Sequence, residues 1–453
     1  MKEHTRHDAK VARESRASVG RDLRKRVGRA THAKVAAGRR DPIALLEASS
    51  RGRVRDLVPI RYGRMLQSPF TFLRGSAAVM AHDLARTPST GVQAQICGDC
   101  HLLNFGLFAS PERQLVFDIN DFDETHPGPW EWDLKRLAAS FVVAARDAGI
   151  SDAKARDIVV GCARAYRECM ARVSHLAPLE VWYEKVEWQQ VIEMAPDAKA
   201  RKFREQVRDQ AKRRIVDHLF PKITQVIDGK ARLVDQPPLI FHVDAPDYEE
   251  RVAHAFAAYR ASLSDDRRVL LDRYRLVDFA VKVVGIGSVG TRCYIALLLS
   301  AEDHPLFLQF KEAVTSVLEP YTQRCTYGNQ GQRVVMGQRL MQSTSDIFLG
   351  WSRDAGQDFY VRQLRDMKFS VPLDGFNAVR LARYAHLCGH TLARSHARSA
   401  DAATVAGYLG KGDPFEEALA TFAIAYADQT EKDHAALVKA VRSGRIHALR
   451  PEG

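Results

Sequence analysis

The chain has 453 residues, enough for two or three compact units, each with its own core. Hydrophobic residues make up 46 % and charged residues 27 %, as in an ordinary globular protein, and no run of about 18 apolar residues occurs, which excludes a membrane-spanning helix. The net charge of +12 is uneven: residues 1–41 hold 13 Lys or Arg against 5 Asp or Glu, leaving a net of only +4 for the rest.

Residues 1–41 therefore read as a basic, flexible leader. It has no apolar segment of the secretory type, and the seven cysteines are odd in number without framework spacing, so a cytoplasmic protein is expected. Such a leader attracts nucleic acid through sequence-blind, salt-sensitive charge. No aromatics are interleaved for base stacking, so a solvated tail is the preferred reading, and any nucleic-acid contact is assigned to this segment alone.

Residues 42–150 form the next unit. Short helices surround "RYGRMLQSPFTFLRG", and the helix "SAAVMAHDLART" runs into "CGDCHLLNFG" at 97–106. These ten letters have two exclusive readings. Cys97-x-x-Cys100-His101 is the spacing of covalent haem attachment, which needs an exported, oxidising context that the chain lacks. Metal binding by Cys97 and Cys100 wants a second Cys or His pair at finger spacing, and none follows. From Asp99, the same letters place a carboxylate and the amide of Asn104 five residues apart in one tight loop. That suits phosphoryl transfer, in which the protein aims a carboxylate at an acceptor hydroxyl and holds Mg²⁺ with oxygen ligands. "QLVFDINDFDET" alternates as a strand ending in acids, and Asp121, 17 residues past Asn104, is the expected second metal ligand, with Asp118 a competitor. "PWEWDLKRLAASFVVAARDAG" reads as a helix with Leu134, Leu137, Ala138 and Phe141 on one face and Trp130 and Trp132 in the core.

Residues 151–270 are helical and basic, interrupted by the hairpin "KITQVIDGKARLV" turning at Asp228-Gly229. Residues 271–370 change texture. "LVDFAVKVVGIGSVGTRCYIALLL" is two β-branched runs joined by Gly285, Gly287, Ser288 and Gly290. A strand rather than a helix follows the turn, so the glycines read as a hairpin loop covering nucleotide phosphates, not a dinucleotide fingerprint. "PLFLQFKEA" is a third strand, and its Lys311, flanked by apolar residues, needs an anionic partner. The α- and β-phosphates of ATP are expected there, steadied by Glu319, with Glu312 or Gln338 as substitutes. A helix over 330–342 and the hairpin "DIFLGWSRDAGQDFYVRQL" complete the unit, and residues 371–453 are helical. His386 and His390 are one turn apart, without a neighbouring Glu or a third ligand, and read as packed histidines.

The segments "CGDCHLLNFG", "FDINDFDETHPGPWEWDLKRLAAS", "QFKEA", "RVVMGQRLMQ" and "GYLGKGDPFEEALATFAIAYADQ" resemble the bacterial domain-of-unknown-function family 2252 over nearly all the chain after the leader. The catalytic stretch is in turn similar to aminoglycoside and choline phosphotransferases, whose pattern is His-Gly-Asp, four residues, Asn, then Ile-Asp-Phe-Asp. The resemblance implies Asp99 as catalytic base, Asn104 and Asp121 as metal ligands, and Asp133 as a buried brace of the large lobe. Cys97 stands where that pattern has His, and Asn120 precedes Asp121. Gly98 stands where protein kinases have Arg, which favours a small-molecule acceptor.

In ordinary kinases the glycine loop comes first; here it follows the catalytic turns. The expected architecture is thus α+β: a circularly permuted, two-lobed protein-kinase-like fold. Its small antiparallel-sheet lobe lies at 271–370 and its helical large lobe is split between 42–150 and 371–453. The expected function is ATP- and Mg²⁺-dependent phosphoryl transfer to a hydroxyl of a small molecule, less readily of a protein. A nucleotide-binding protein without transfer chemistry and an AMP transferase are the alternatives. The acceptor pocket is expected from 150–270 and 371–453.

Overall fold

A computed structural model describes residues 12–449 except 37, 39, 215, 238, 245, 284–288, 365–366 and 372–374. The architecture is α+β, with helices toward both ends of the chain and an antiparallel sheet between them. Strands β1 (Gln93–Ile96) and β4 (His126–Pro129) pair with each other, bracketing the hairpin of β2 (Phe105–Ala109) and β3 (Leu115–Ile119). The expected hairpin at 224–233 is β5 (Thr224–Ile227) and β6 (Lys230–Leu233), with Asp228 and Gly229 both at positive φ as its two-residue turn requires.

The main sheet has six strands in the order β11-β12-β10-β9-β8-β7, all antiparallel. These are β7 (Ile240–Phe241), β8 (Arg275–Lys282), β9 (Cys293–Leu299), β10 (Pro305–Glu312), β11 (Gly350–Asp354) and β12 (Gln357–Gln363); the short β13 (Phe369–Ser370) adds to β2 instead. The two β-branched runs around the glycine-rich turn are thus adjacent strands β8 and β9. Side chains of β9 and β10 alternate between two cores. Leu298, Leu306, Leu308 and Phe310 pack with Tyr259 and Leu263, while Ile295, Leu297 and Phe307 pack with Leu219 and Ile223. By that period Lys311 shares the face of Phe307, and register sets it opposite Tyr360 on β12.

The largest core unites distant parts of the chain. Helix Trp130–Asp147, buried almost all round, packs against helices Asp152–Val173, Ala378–Ala397 and Pro414–Arg442. Trp130 stacks on Tyr166 with ring centroids 5.5 Å apart, so the tryptophans are core residues as expected.

The expectation of a flexible leader fails over its described part. Helix Arg13–Arg26 packs on helix Ala402–Leu409 through two glycines: a Cβ at Gly20 would collide with the Thr404 carbonyl, and one at Gly407 with that of Ala17. The arginines serve the fold. Arg24 donates to the carbonyls of Tyr408 and Gly407, and Arg29 to that of Leu409, at the negative end of that helix. Arg40 bridges the buried carboxylates of Asp83 and Asp433. Composition showed the charge but not its internal partners. Among the described residues no helix is long and apolar enough to cross a membrane.

Candidate active site

Asp99 sits at the end of a turn whose backbone is fixed before its side chain is considered. Gly98 has φ +77°, and a Cβ there would meet the Glu124 carbonyl, so only glycine fits. Both carboxylate oxygens of Asp133 accept backbone N–H groups, from Cys97 at 2.7 Å and Gly98 at 2.9 Å. Asp133 thus braces the turn that carries Asp99. The loop then folds back: the Asn104 amide nitrogen donates to the Asp99 carbonyl at 2.5 Å, and the Asn120 N–H to the Asn104 carbonyl at 2.7 Å. The second bond ties the Asp99 loop to the acidic turn after β3.

Asp99, Asn104, Asp121 and Asp123 all line one cavity of about 380 Å³, together with Glu312, Ala313 and Thr291 from the sheet region. The Asp99 carboxylate accepts from Arg136 Nε at 2.6 Å; burial pushes its pKa up while the Arg136 and Arg74 guanidiniums pull it down, leaving it raised. Asp121 is raised too, by burial and then by the Asp123 carboxylate two residues on. Lys311 pairs with Asp123, whose other oxygen accepts the Tyr360 hydroxyl at 2.7 Å. Burial opposes both charges, but their mutual attraction wins, holding Asp123 well below and Lys311 well above its ordinary value. Lys368, half-buried near Asp121 and donating to the Asn120 carbonyl at 3.0 Å, is pushed down to about 7, by desolvation first and the Arg362 charge second.

The structure therefore brings together Asp99, Asn104 and Asp121, and joins Lys311 to the same acidic turn across 188 residues of sequence. Glu319 is a different case. It lies in the 3-10 turn Glu319–Tyr321, near Arg333 and His126, and the Lys311 ion pair goes to Asp123 instead. Helix Gln330–Met341, which follows β10, offers no carboxylate in its place, since it carries no acidic residue at all. Of the substitutes, Glu312 pairs with Arg292 at 2.9 Å and Gln338 donates to Gln342. Gly285, Gly287 and Ser288 lie outside the described residues. Gly290, at φ +90°, accepts from the Val54 N–H at 2.8 Å, and Arg53 donates to the Val289 carbonyl at 2.7 Å, so this end of the turn rests on residues 53–54. Asp118 is clasped by Arg394 and by Ser343 at 2.8 and 2.9 Å, so that of the two acids only Asp121 lines the cavity.

Two minor expectations meet the coordinates here. Cys97, Cys100 and Asp133 have ligand-type atoms within 4.8 Å of one another. Burial raises both thiols, Cys100 to about 11, and both oxygens of Asp133 already accept backbone N–H groups. His390 approaches the Cys169 sulfur at 3.9 Å, and burial drops it to about 4, whereas His386 is exposed, so the expectation of two packed histidines fails for His386.

Sequence reasoning missed one whole wall. The cavity takes Arg53, Arg61, Arg74 and the helix ends near 48 and 78 from the N-terminal part, not from 150–270 or 371–453. Arg136 was also missed: it lies on the side of its helix away from Leu134 and Leu137, and only the fold shows that this side is buried too.

A family model described as an uncharacterized protein conserved in bacteria (DUF2252) matches residues 53–440. The chain belongs to DUF2252. No curated protein matches it, and no solved structure does. The DUF2252 match begins at Arg53, so the docked helix Arg13–Arg26 lies ahead of the family's span, whereas every site residue described above lies inside it.

Proposed function

We propose that this DUF2252 chain is an ATP- and magnesium-dependent phosphotransferase acting on a hydroxyl of a small molecule, on a circularly permuted protein-kinase-like fold. One observation carries the reading: Asp99, Asn104 and Asp121 open onto a single cavity, and the acidic turn at its edge is tied to the lysine of β10. A fold without phosphoryl chemistry has little use for that convergence, because each buried charge is costly alone.

The donor set suits a hard cation. Asp121 and Asp123 offer carboxylates, and Asn104, with its nitrogen spent on the Asp99 carbonyl, offers its amide oxygen. The raised Asp121 carboxyl is a group that a nearby cation would return to its charged form. When bound, magnesium neutralises charge on the phosphate oxygens. Asp99 orients the acceptor hydroxyl and takes its proton as the new O–P bond forms and the bond to the β-phosphate oxygen breaks. Arg136 holds the Asp99 carboxylate in place. Asp123 takes over the lysine-steadying part that a helix carboxylate plays in protein kinases, a departure consistent with the acid-free helix Gln330–Met341.

The test is transfer from labelled ATP into a pool of small metabolites. Label from the γ-position should appear in product, and Asp99→Ala should lower the rate by about 10²–10⁴, the usual worth of a general base, while nucleotide still binds. Undiminished transfer in Asp99→Ala would reject Asp99 as the base. Label arriving from the α-position would mark nucleotidyl transfer instead.

A further inference from the structure

Beside the exposed Arg51, three more enclosed arginines on the cavity wall have no task in the reading above, which this inference extends and on which it rests. They are not equivalent. Arg53 spends its donors on the carbonyls of Ser49 and Val289, under the end of the glycine turn, which puts it on the nucleotide side. Arg61, in helix Val58–Met65, is only 2 % exposed. Its terminal nitrogens reach Ser50 Oγ at 2.8 Å and the Gly75 carbonyl at 2.7 Å, yet among the described residues its buried Nε has no hydrogen-bond partner. Arg74, at the end of helix Pro69–Gly75, likewise keeps a buried Nε without a partner. The charges acting on Arg74 are Asp99 first and Asp121 second, which sets it beside the base rather than beside Lys311.

Buried donors are almost always satisfied, so two such orphans on side chains that line one cavity ask for an acceptor that is missing from the protein itself. Like charge sharpens the demand: Arg53 and Arg61 repel each other, and burial works against both. A guanidinium pair prefers a multidentate oxyanion, and the planar fork matches phosphate or carboxylate geometry. We propose that Arg61 and Arg74 form a subsite for a phosphate-like anionic group carried by the acceptor, so that the substrate class is an anionic hydroxyl compound rather than a neutral or cationic one.

The same chemistry has a second source, the triphosphate of the nucleotide, and calorimetry on the full chain separates the two. The protein is first saturated with Mg²⁺ and a non-hydrolysable ATP analogue, then titrated with inorganic phosphate. Phosphate should bind with the analogue in place. Arg74→Gln should weaken phosphate by about ten-fold or more, the worth of one charge-assisted hydrogen bond, and leave the analogue within about two-fold of wild type. Arg74→Lys, which keeps the charge and guards against misfolding of the glutamine variant, should lie between the two. Displacement of phosphate by the analogue, or equal weakening of both ligands in Arg74→Gln, would overturn the proposal and assign the arginines to the triphosphate. Phosphate binding that Arg74 controls, without any binding of the analogue, would instead reject the phosphotransferase reading and with it the acceptor role.

Discussion

Lys311 on β10 and Asp123 in the turn after β3 form an ion pair that joins the sheet to the acidic loop across 188 residues. Sheet register makes the pair possible. Lys311 lies opposite Tyr360, so ammonium and phenol reach one carboxylate from adjacent strands. Because Lys311 is buried while Asp123 keeps partial exposure, Lys311→Met should cost about 3 kcal/mol of stability, the low end for stranding one member of a buried pair. The double variant Lys311→Met, Asp123→Asn should cost less than the two single changes together, measured by urea unfolding. Strict additivity would show that the two charges do not depend on each other.

Asp133 is the second hinge of the account. Its carboxylate holds the N–H groups of Cys97 and Gly98, and His396 approaches the same carboxylate at 3.3 Å. Asp133→Ala strands the N–H groups of Cys97 and Gly98 and should cost about 2–6 kcal/mol, at about 1–3 for each unsatisfied group. Transfer should fall even at temperatures where the variant remains folded, because Asp99 loses its fixed backbone. Full activity in a folded Asp133→Ala would show that the brace is dispensable.

Much of this architecture was legible because it rests on short-range rules. The hairpin at Asp228-Gly229, the strands around the glycine turn and the helix Trp130–Asp147 follow from turn chemistry and periodicity. That Asp99, Asn104 and Asp121 belong together was legible from residue type and spacing, and they do line one cavity. What escaped needed three dimensions. Asp123 rather than Glu319 meets Lys311 because folding carries the turn after β3 onto β10, a contact across 188 residues that no local pattern encodes. Arg61 and Arg74 sit in unremarkable short helices, and only folding brings them to Asp99. The basic leader misled because a charge run looks solvated until its carbonyl partners on another helix are known.

That docked leader makes a pH-dependent prediction. His32 is fully buried in the 3-10 turn Arg29–Ala33, bonded to the Tyr408 hydroxyl at 2.8 Å and packed on Phe415. Burial, with the Lys135 charge second, depresses it to about 3. The unfolded chain therefore takes up a proton near pH 6.5 that the fold refuses until about 3, and stability falls as pH drops through that window. The slope from this group approaches about 1.4 kcal/mol per pH unit at most. Thermal melting between pH 7 and 4 should be steeper for wild type than for His32→Gln. Parallel curves would mean that the histidine is not held neutral.

The central claim is that one cleft gathers a triphosphate and its cation, and calorimetric titration of the full chain with ATP, with and without Mg²⁺, tests it most directly. Binding should require Mg²⁺ and should weaken by about ten-fold or more in Asp121→Asn, since a hard-cation ligand has been removed. No heat in either condition, or an affinity indifferent both to Mg²⁺ and to Asp121→Asn, would contradict the account.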